Sequence, residues 1–138
     1  MEWMLLPYRR YAEFTGRSRR KEFWLFHLFL FLVGVVITAI FGRTDYVSSG
    51  FYASAVTNVS GFGGGLLALF RLASLIPGLA VAVRRLHDQD RSGWLLLLLL
   101  IPFFGWFALL VLMCLDGTRG ANRFGPDPKD QNNAEVFS

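Results

Sequence analysis

Charge is what this sequence has least of. Only 17% of its 138 residues are Asp, Glu, Lys or Arg, against about a quarter in an ordinary soluble domain. It has one cysteine, Cys114, so it can form no internal disulfide and no cysteine cluster that would hold a metal. There are two histidines, His27 and His87, which are too few for a zinc site. No dinucleotide fingerprint, zinc-ligand spacing or catalytic triad pattern is present. The glycines of Gly61-Phe62-Gly63-Gly64-Gly65 are not followed by Gly-Lys-Ser/Thr, so the segment from Gly42 to Gly65 reads as a flexible connector and not as a phosphate loop. Together these absences predict no catalytic residue, no metal and no cofactor.

What is abundant is apolar. The sequence is 54% hydrophobic, with 14 Phe, 4 Trp and 4 Tyr gathered in blocks. So small a globule cannot hide that much apolar surface. The net charge of +4 would suggest nucleic acid in a soluble protein, but here most of the basic residues flank apolar blocks, as in a membrane protein. The expectation is an all-α integral membrane protein with three transmembrane helices and an N-terminal interfacial segment, and with no nucleic-acid partner.

The first span is predicted over residues 23–41. Nineteen residues at about 1.5 Å each cover roughly 28 Å, enough to cross a hydrocarbon core. The second covers 66–83 and contains Arg71 and Pro77, with Ser74, Gly78 and Ala82 forming a small-residue stripe that invites close helix approach. The third covers 94–115 and opens on six leucines; Ile101-Pro102-Phe103-Phe104-Gly105 marks a kink near its middle. A re-entrant dip is the alternative there. Residues 1–128 read as one membrane domain and 129–138 as a polar tail. Three spans put nine basic residues on the side of the N-terminus and second loop, against four on the other. The positive-inside rule then predicts a cytoplasmic N-terminus and an external C-terminus.

Two charged clusters stand beside the spans. Arg17, Arg19, Arg20 and Lys21 precede the first and suit anionic lipid headgroups. Arg84, Arg85, His87, Asp88 and Arg91 follow the second. On a continued helix Arg84 would pair with Asp88 at i,i+4, and Gly93 would end the helix. This cluster either binds an anion or staples the turn between spans. His27 and Arg71 are the isolated intramembrane polar residues, with Arg71 within reach of Asp116 if the third block crosses.

Three motifs occur in order: Phe14-x-Gly16-Arg17-x-x-Arg20-x-x-Phe23-Trp24; Arg84-Arg85-Leu86-His87-Asp88 with Ser92-Gly93-Trp94; and Asn122-Arg123-Phe124-Gly125-Pro126-Asp127-Pro128. Together they resemble the bacterial inner-membrane proteins grouped as domain of unknown function 805. The chain departs from that pattern at Asp90, where the family often has Gly, and at Leu95, where a second Trp is common. The resemblance implies a small multi-pass inner-membrane protein and carries over no catalytic residue. The expected partners are anionic membrane lipids, a second copy or a partner membrane protein. The alternative is an oligomeric channel or transporter with Arg71 and the His87–Asp88 pair on a polar route.

Overall fold

A computed structural model describes residues 2–49 and 52–129; residues 130–138 of the expected tail lie outside the described residues. The chain is mostly helical. A short helix α1 (Glu2–Arg9) leads to α2 (Arg20–Phe41), a two-stranded sheet of β1 (Gly42–Ser49) and β2 (Tyr52–Val59), and α3 (Gly61–Asp88); a 3-10 helix (Gly93–Leu100) and α4 (Phe104–Cys114) follow. Contacts divide it into two compact units, residues 28–75 and residues 1–27 with 76–138, and both long helices run through each.

Among the described residues two helices, α2 and α3, are long and apolar enough to cross a membrane. They match the first two expected spans but are longer. α2 gains a polar first turn from Arg20, and α3 begins five residues before Leu66, runs through Pro77 and ends at Asp88. Asp90 ends the helix, where Gly93 was expected to do so. Its φ of 57° puts it in the left-handed region, and the Asp90 and Arg91 amides donate to the His87 and Leu86 carbonyls. This is the position that favours glycine after a helix.

The connector expected to be flexible is an antiparallel hairpin in the unit of residues 28–75, with Gly42 opposite Val59 and Ser49 opposite Tyr52. Thr44, Tyr46, Val56, Thr57 and Val59 supply β-branched and aromatic side chains, and the Thr44 and Thr57 hydroxyls meet at 2.9 Å across the strands.

The third apolar block does not form one spanning helix. It is split between the 3-10 helix and α4 by a turn at residues 101–103, where Pro102 has no amide to donate and Phe103 takes a φ of 61°. Both ends of the block are anchored to the last turns of α3. At one end Gly93 packs so close to Val83 that a Cβ there would sit 2.9 Å from its Cγ1. At the other, Arg85 donates to the Leu115 carbonyl and Gln89 to the Leu112 carbonyl. Eight residues at about 2 Å each and eleven at about 1.5 Å each give two arms of roughly 16 Å, about half a hydrocarbon core. The block folds back on itself. Leu100, Phe103 and Phe104, at its tip, are each at least 80% exposed.

The core of the unit of residues 1–27 and 76–138 is small. Phe26 is fully buried and takes the Tyr8 ring edge-on at 5.3 Å. Gly78 of the small-residue stripe faces the Phe26 ring. Phe23, Ala80, Val81, Leu86, Leu109 and Met113 complete it among the described residues.

Candidate functional site

Among the described residues the largest fully buried side chains are two arginines, Arg84 and Arg85. They sit in the last turn and a half of α3, where helical spacing turns them toward different neighbours. Arg84 Nη2 donates to Glu22 Oε1 at 2.9 Å, in the first turn of α2. Arg85 Nη1 donates to Asp88 Oδ2 at 2.5 Å, and its remaining nitrogens reach the Met113 and Leu115 carbonyls at the end of α4. The expected Arg84–Asp88 pair is thus replaced by Arg84–Glu22 and Arg85–Asp88.

Arg17 joins the N-terminal segment to this helix end. Its Nε donates to Asp88 Oδ1 at 2.9 Å. Its Nη1 and Nη2 donate to the Gly120 and Thr118 carbonyls, both at 2.6 Å. Both oxygens of Asp88 are therefore occupied by buried guanidinium groups. Ser18 closes the other side: its hydroxyl donates to Glu22 Oε2 at 2.5 Å and its amide to the Arg84 carbonyl at 3.1 Å.

The third motif wraps over the knot. The Thr118 amide donates to the Asp88 carbonyl at 2.8 Å, and Asn122 Nδ2 donates to the His87 carbonyl at 2.9 Å. Arg19 donates to the Pro128 carbonyl. The Phe124 ring stacks on His87 at 3.9 Å and 4°, while His87 Nδ1 donates to the Gly16 carbonyl at 3.3 Å. Gly117 is required by close approach, since a Cβ there would strike the Asp88 carboxylate. Burial pushes the Asp127 carboxyl up, but the amides of Lys129 and Gly120 donate to it and hold it below the usual carboxylate range. Asp116 is also held low, first by the Lys129 ammonium that donates to it at 2.7 Å.

Of the residues singled out in the sequence, Arg17, Arg84, Arg85 and Asp88 are brought together and buried, with His87 beside them. Arg19 is half-buried at the rim. Arg20, Lys21 and Arg91 are exposed, Arg20 pairing with Asp116 at 3.1 Å. His27 stays on its own helix, its Nδ1 donating to the Phe23 carbonyl at 2.9 Å. Arg71 lies in the other unit, exposed on α3. Sequence reasoning missed Glu22 and Ser18 as partners, although Glu22 is the one carboxylate in the first motif. It gave Asn122 and Asp127 no role beyond their place in the third motif.

This arrangement offers a set of buried ion pairs together with guanidinium and amide donors on backbone carbonyls. Among the described residues no group of three metal-ligating side chains is present. Its chemistry is that of a clasp: three segments far apart in sequence, held by buried charge.

Comparison with known proteins covers the same ground. A family model described as Protein of unknown function (DUF805) matches residues 11–126, taking in almost all of the clasp. Inner membrane protein YhaI of Escherichia coli (strain K12) is 42% identical over 137 residues, covering 96% of this chain and 100% of that protein. Inner membrane protein YhaH of the same strain is 43% identical over 129 residues, covering 94% and 98%. Uncharacterized protein YiiR of that strain is 28% identical over 143 residues, covering 85% and 86%. No solved structure matches the chain.

Proposed function

Since this chain belongs to the DUF805 family, we propose that it is a small non-enzymatic inner-membrane protein that engages anionic lipid headgroups through a basic cytoplasmic rim. The observation that carries this reading is the division of its basic residues. Arg17, Arg84 and Arg85 are buried and used inside the clasp, whereas Arg9, Arg20, Lys21, Arg91, Arg119 and Arg123 are exposed on the segments that form it. Exposed charges next to spans suit an anionic leaflet, at about 1 kcal/mol for each basic residue near the surface.

The topology that goes with it is two crossings and a re-entrant hairpin, with both termini in the cytoplasm. The bonds from Arg17 and Arg19 to residues 118–128 support this, and so does charge. With the tail beside the N-terminal segment, twelve of the fourteen basic residues share one end; Arg43 follows α2 at the other, and Arg71 lies within α3. That asymmetry is much steeper than nine against four, and the positive-inside rule assigns the rich side to the cytoplasm. A fluorescent protein fused after Ser138 is expected to fluoresce and a periplasm-dependent phosphatase fused there to be inactive. The opposite pair of results would restore the third crossing.

Native mass spectrometry from mild detergent tests the lipid reading. Lys21→Gln, Arg91→Gln and Arg119→Gln together remove about 3 kcal/mol of headgroup attraction, roughly a hundredfold in affinity. The triple variant is expected to lose retained anionic phospholipid while keeping zwitterionic lipid. Equal anionic lipid on both proteins would sink the proposal. A channel would need Asp88 free on a polar route, and no observation supports that, since both its oxygens accept from arginine.

A further inference from the structure

Arg71 is the charge that the clasp, the rim and the fold leave unexplained. It sits on α3 among exposed apolar neighbours, with Ala68, Leu72 and Leu75 open around it, and among the described residues it makes no ion pair. Its depth follows from helix geometry. Val83 is the last apolar residue of α3 before the arginine pair, and Arg71 lies twelve residues earlier, about 18 Å into a core of about 30 Å. A second measure comes from within the unit of residues 28–75. Phe41, the last residue of α2, packs against Gly63, and Arg71 lies eight residues further along α3, about 12 Å from that boundary. The two figures agree.

At that depth lipid phosphate is out of reach. The headgroup layer adds roughly 5–7 Å beyond the hydrocarbon, so phosphate lies about 18 Å from the Arg71 Cα. Six bonds of standard length extend an arginine by roughly 7 Å. Its side chain does lean toward the helix N-terminus, the nearer boundary, but the gap exceeds what snorkelling covers without deforming the bilayer. Nor does the chain hold an internal answer. None of its ten acidic residues lies within residues 23–41, 61–83 or 94–115, so a second copy inserted the same way brings no carboxylate to this level.

We propose that Arg71 and the leucine face around it dock a different membrane protein, through a spanning helix that carries a carboxylate about 12 Å inside the outer boundary. An intramembrane guanidinium ordinarily meets such a partner, and Leu72 and Leu75 would exclude lipid from the pair. The inference rests on α3 crossing the membrane, which the same two reporters fused after Ser60 and after Ser92, on either side of α3, read independently of any association.

The test uses the full-length protein in liposomes with a fluorescent 21-residue Leu/Ala host helix bearing one Glu eight residues from its outer end. Energy transfer is expected to show association at least tenfold tighter with the Glu host than with its Gln counterpart. Arg71→Leu should reduce that ratio to about one, and Arg71→Glu should transfer the preference to a host with Arg at the same position. Moving the host Glu two turns deeper should also abolish the preference. Equal binding of the Glu and Gln hosts by the wild-type protein overturns the proposal. So does a preference that survives Arg71→Leu, or one indifferent to the depth of the Glu. If the Glu host is ignored while Arg71→Leu alters the anionic lipid retained, the occupant is lipid and the docking face is refuted.

Discussion

Asp88→Ala is expected to destabilise the protein by about 3–5 kcal/mol, the cost of leaving buried charge without its partner. Asp88 is 3% exposed and accepts from two guanidinium groups at 2.9 and 2.5 Å. Its removal strands both. Both keep carbonyl acceptors but lose their counter-charge, and Arg85 is fully buried. The midpoint of denaturant unfolding in micelles measures the effect, and faster tryptic cleavage at Arg119 and Arg123 would show the wrapped segment coming loose. Asp116→Ala is the control. That carboxylate is exposed, with ion-pair partners that are themselves half exposed, and such pairs contribute at most about 1 kcal/mol. If the two variants unfold alike, the clasp is not what holds these segments together.

The Arg84–Glu22 pair should behave differently under double substitution. Glu22→Leu alone is expected to cost about 3–5 kcal/mol, because Arg84 then remains at 0% exposure with no counter-charge. Two of the Arg84 nitrogens, Nε and Nη1, already lack a hydrogen-bond partner, so the pair carries uncompensated desolvation. Replacing both charges by apolar side chains of similar size is often neutral or better. Glu22→Leu with Arg84→Met is therefore expected to unfold later than Glu22→Leu alone. A double-mutant cycle reads the coupling; additive losses would mean that the two side chains act separately.

How much of this was legible in the sequence depends on the range of the interaction. α2 and α3 could be read because an apolar run of span length is a local signal. The block from Trp94 to Leu115 has span length too, and hydropathy cannot register that both its ends return to one helix. The local sign of the turn was present in Ile101-Pro102-Phe103-Phe104-Gly105, read as a kink when it is a reversal. The β1–β2 hairpin was hidden by its glycines and serines, although Val56, Thr57 and Val59 favour extended backbone. The clasp was the least legible part. Arg17 and Asp88 are 71 residues apart and Arg84 and Glu22 are 62, so no periodicity links them. The arginines read as lipid anchors because a basic run beside a span looks the same from the sequence whether it faces headgroups or turns inward. What did point to them was the ordered set of three motifs, each of which contributes a strand of the same knot.

The wrapping of residues 117–128 over Arg17 also sets an order of events during synthesis. Arg17 donates to Gly120, 103 residues later in the chain. At about 5–20 residues per second, the ribosome takes roughly 5–20 s to supply that acceptor. On the proposed topology both crossings are made in the interval, while the Arg17 Nη1 and Nη2 donors still lack the Gly120 and Thr118 carbonyls. The nascent chain therefore inserts first and locks last, and a stall in translation between Asp88 and Thr118 would leave a membrane-embedded intermediate with an open latch, exposed to the cell's quality-control proteases.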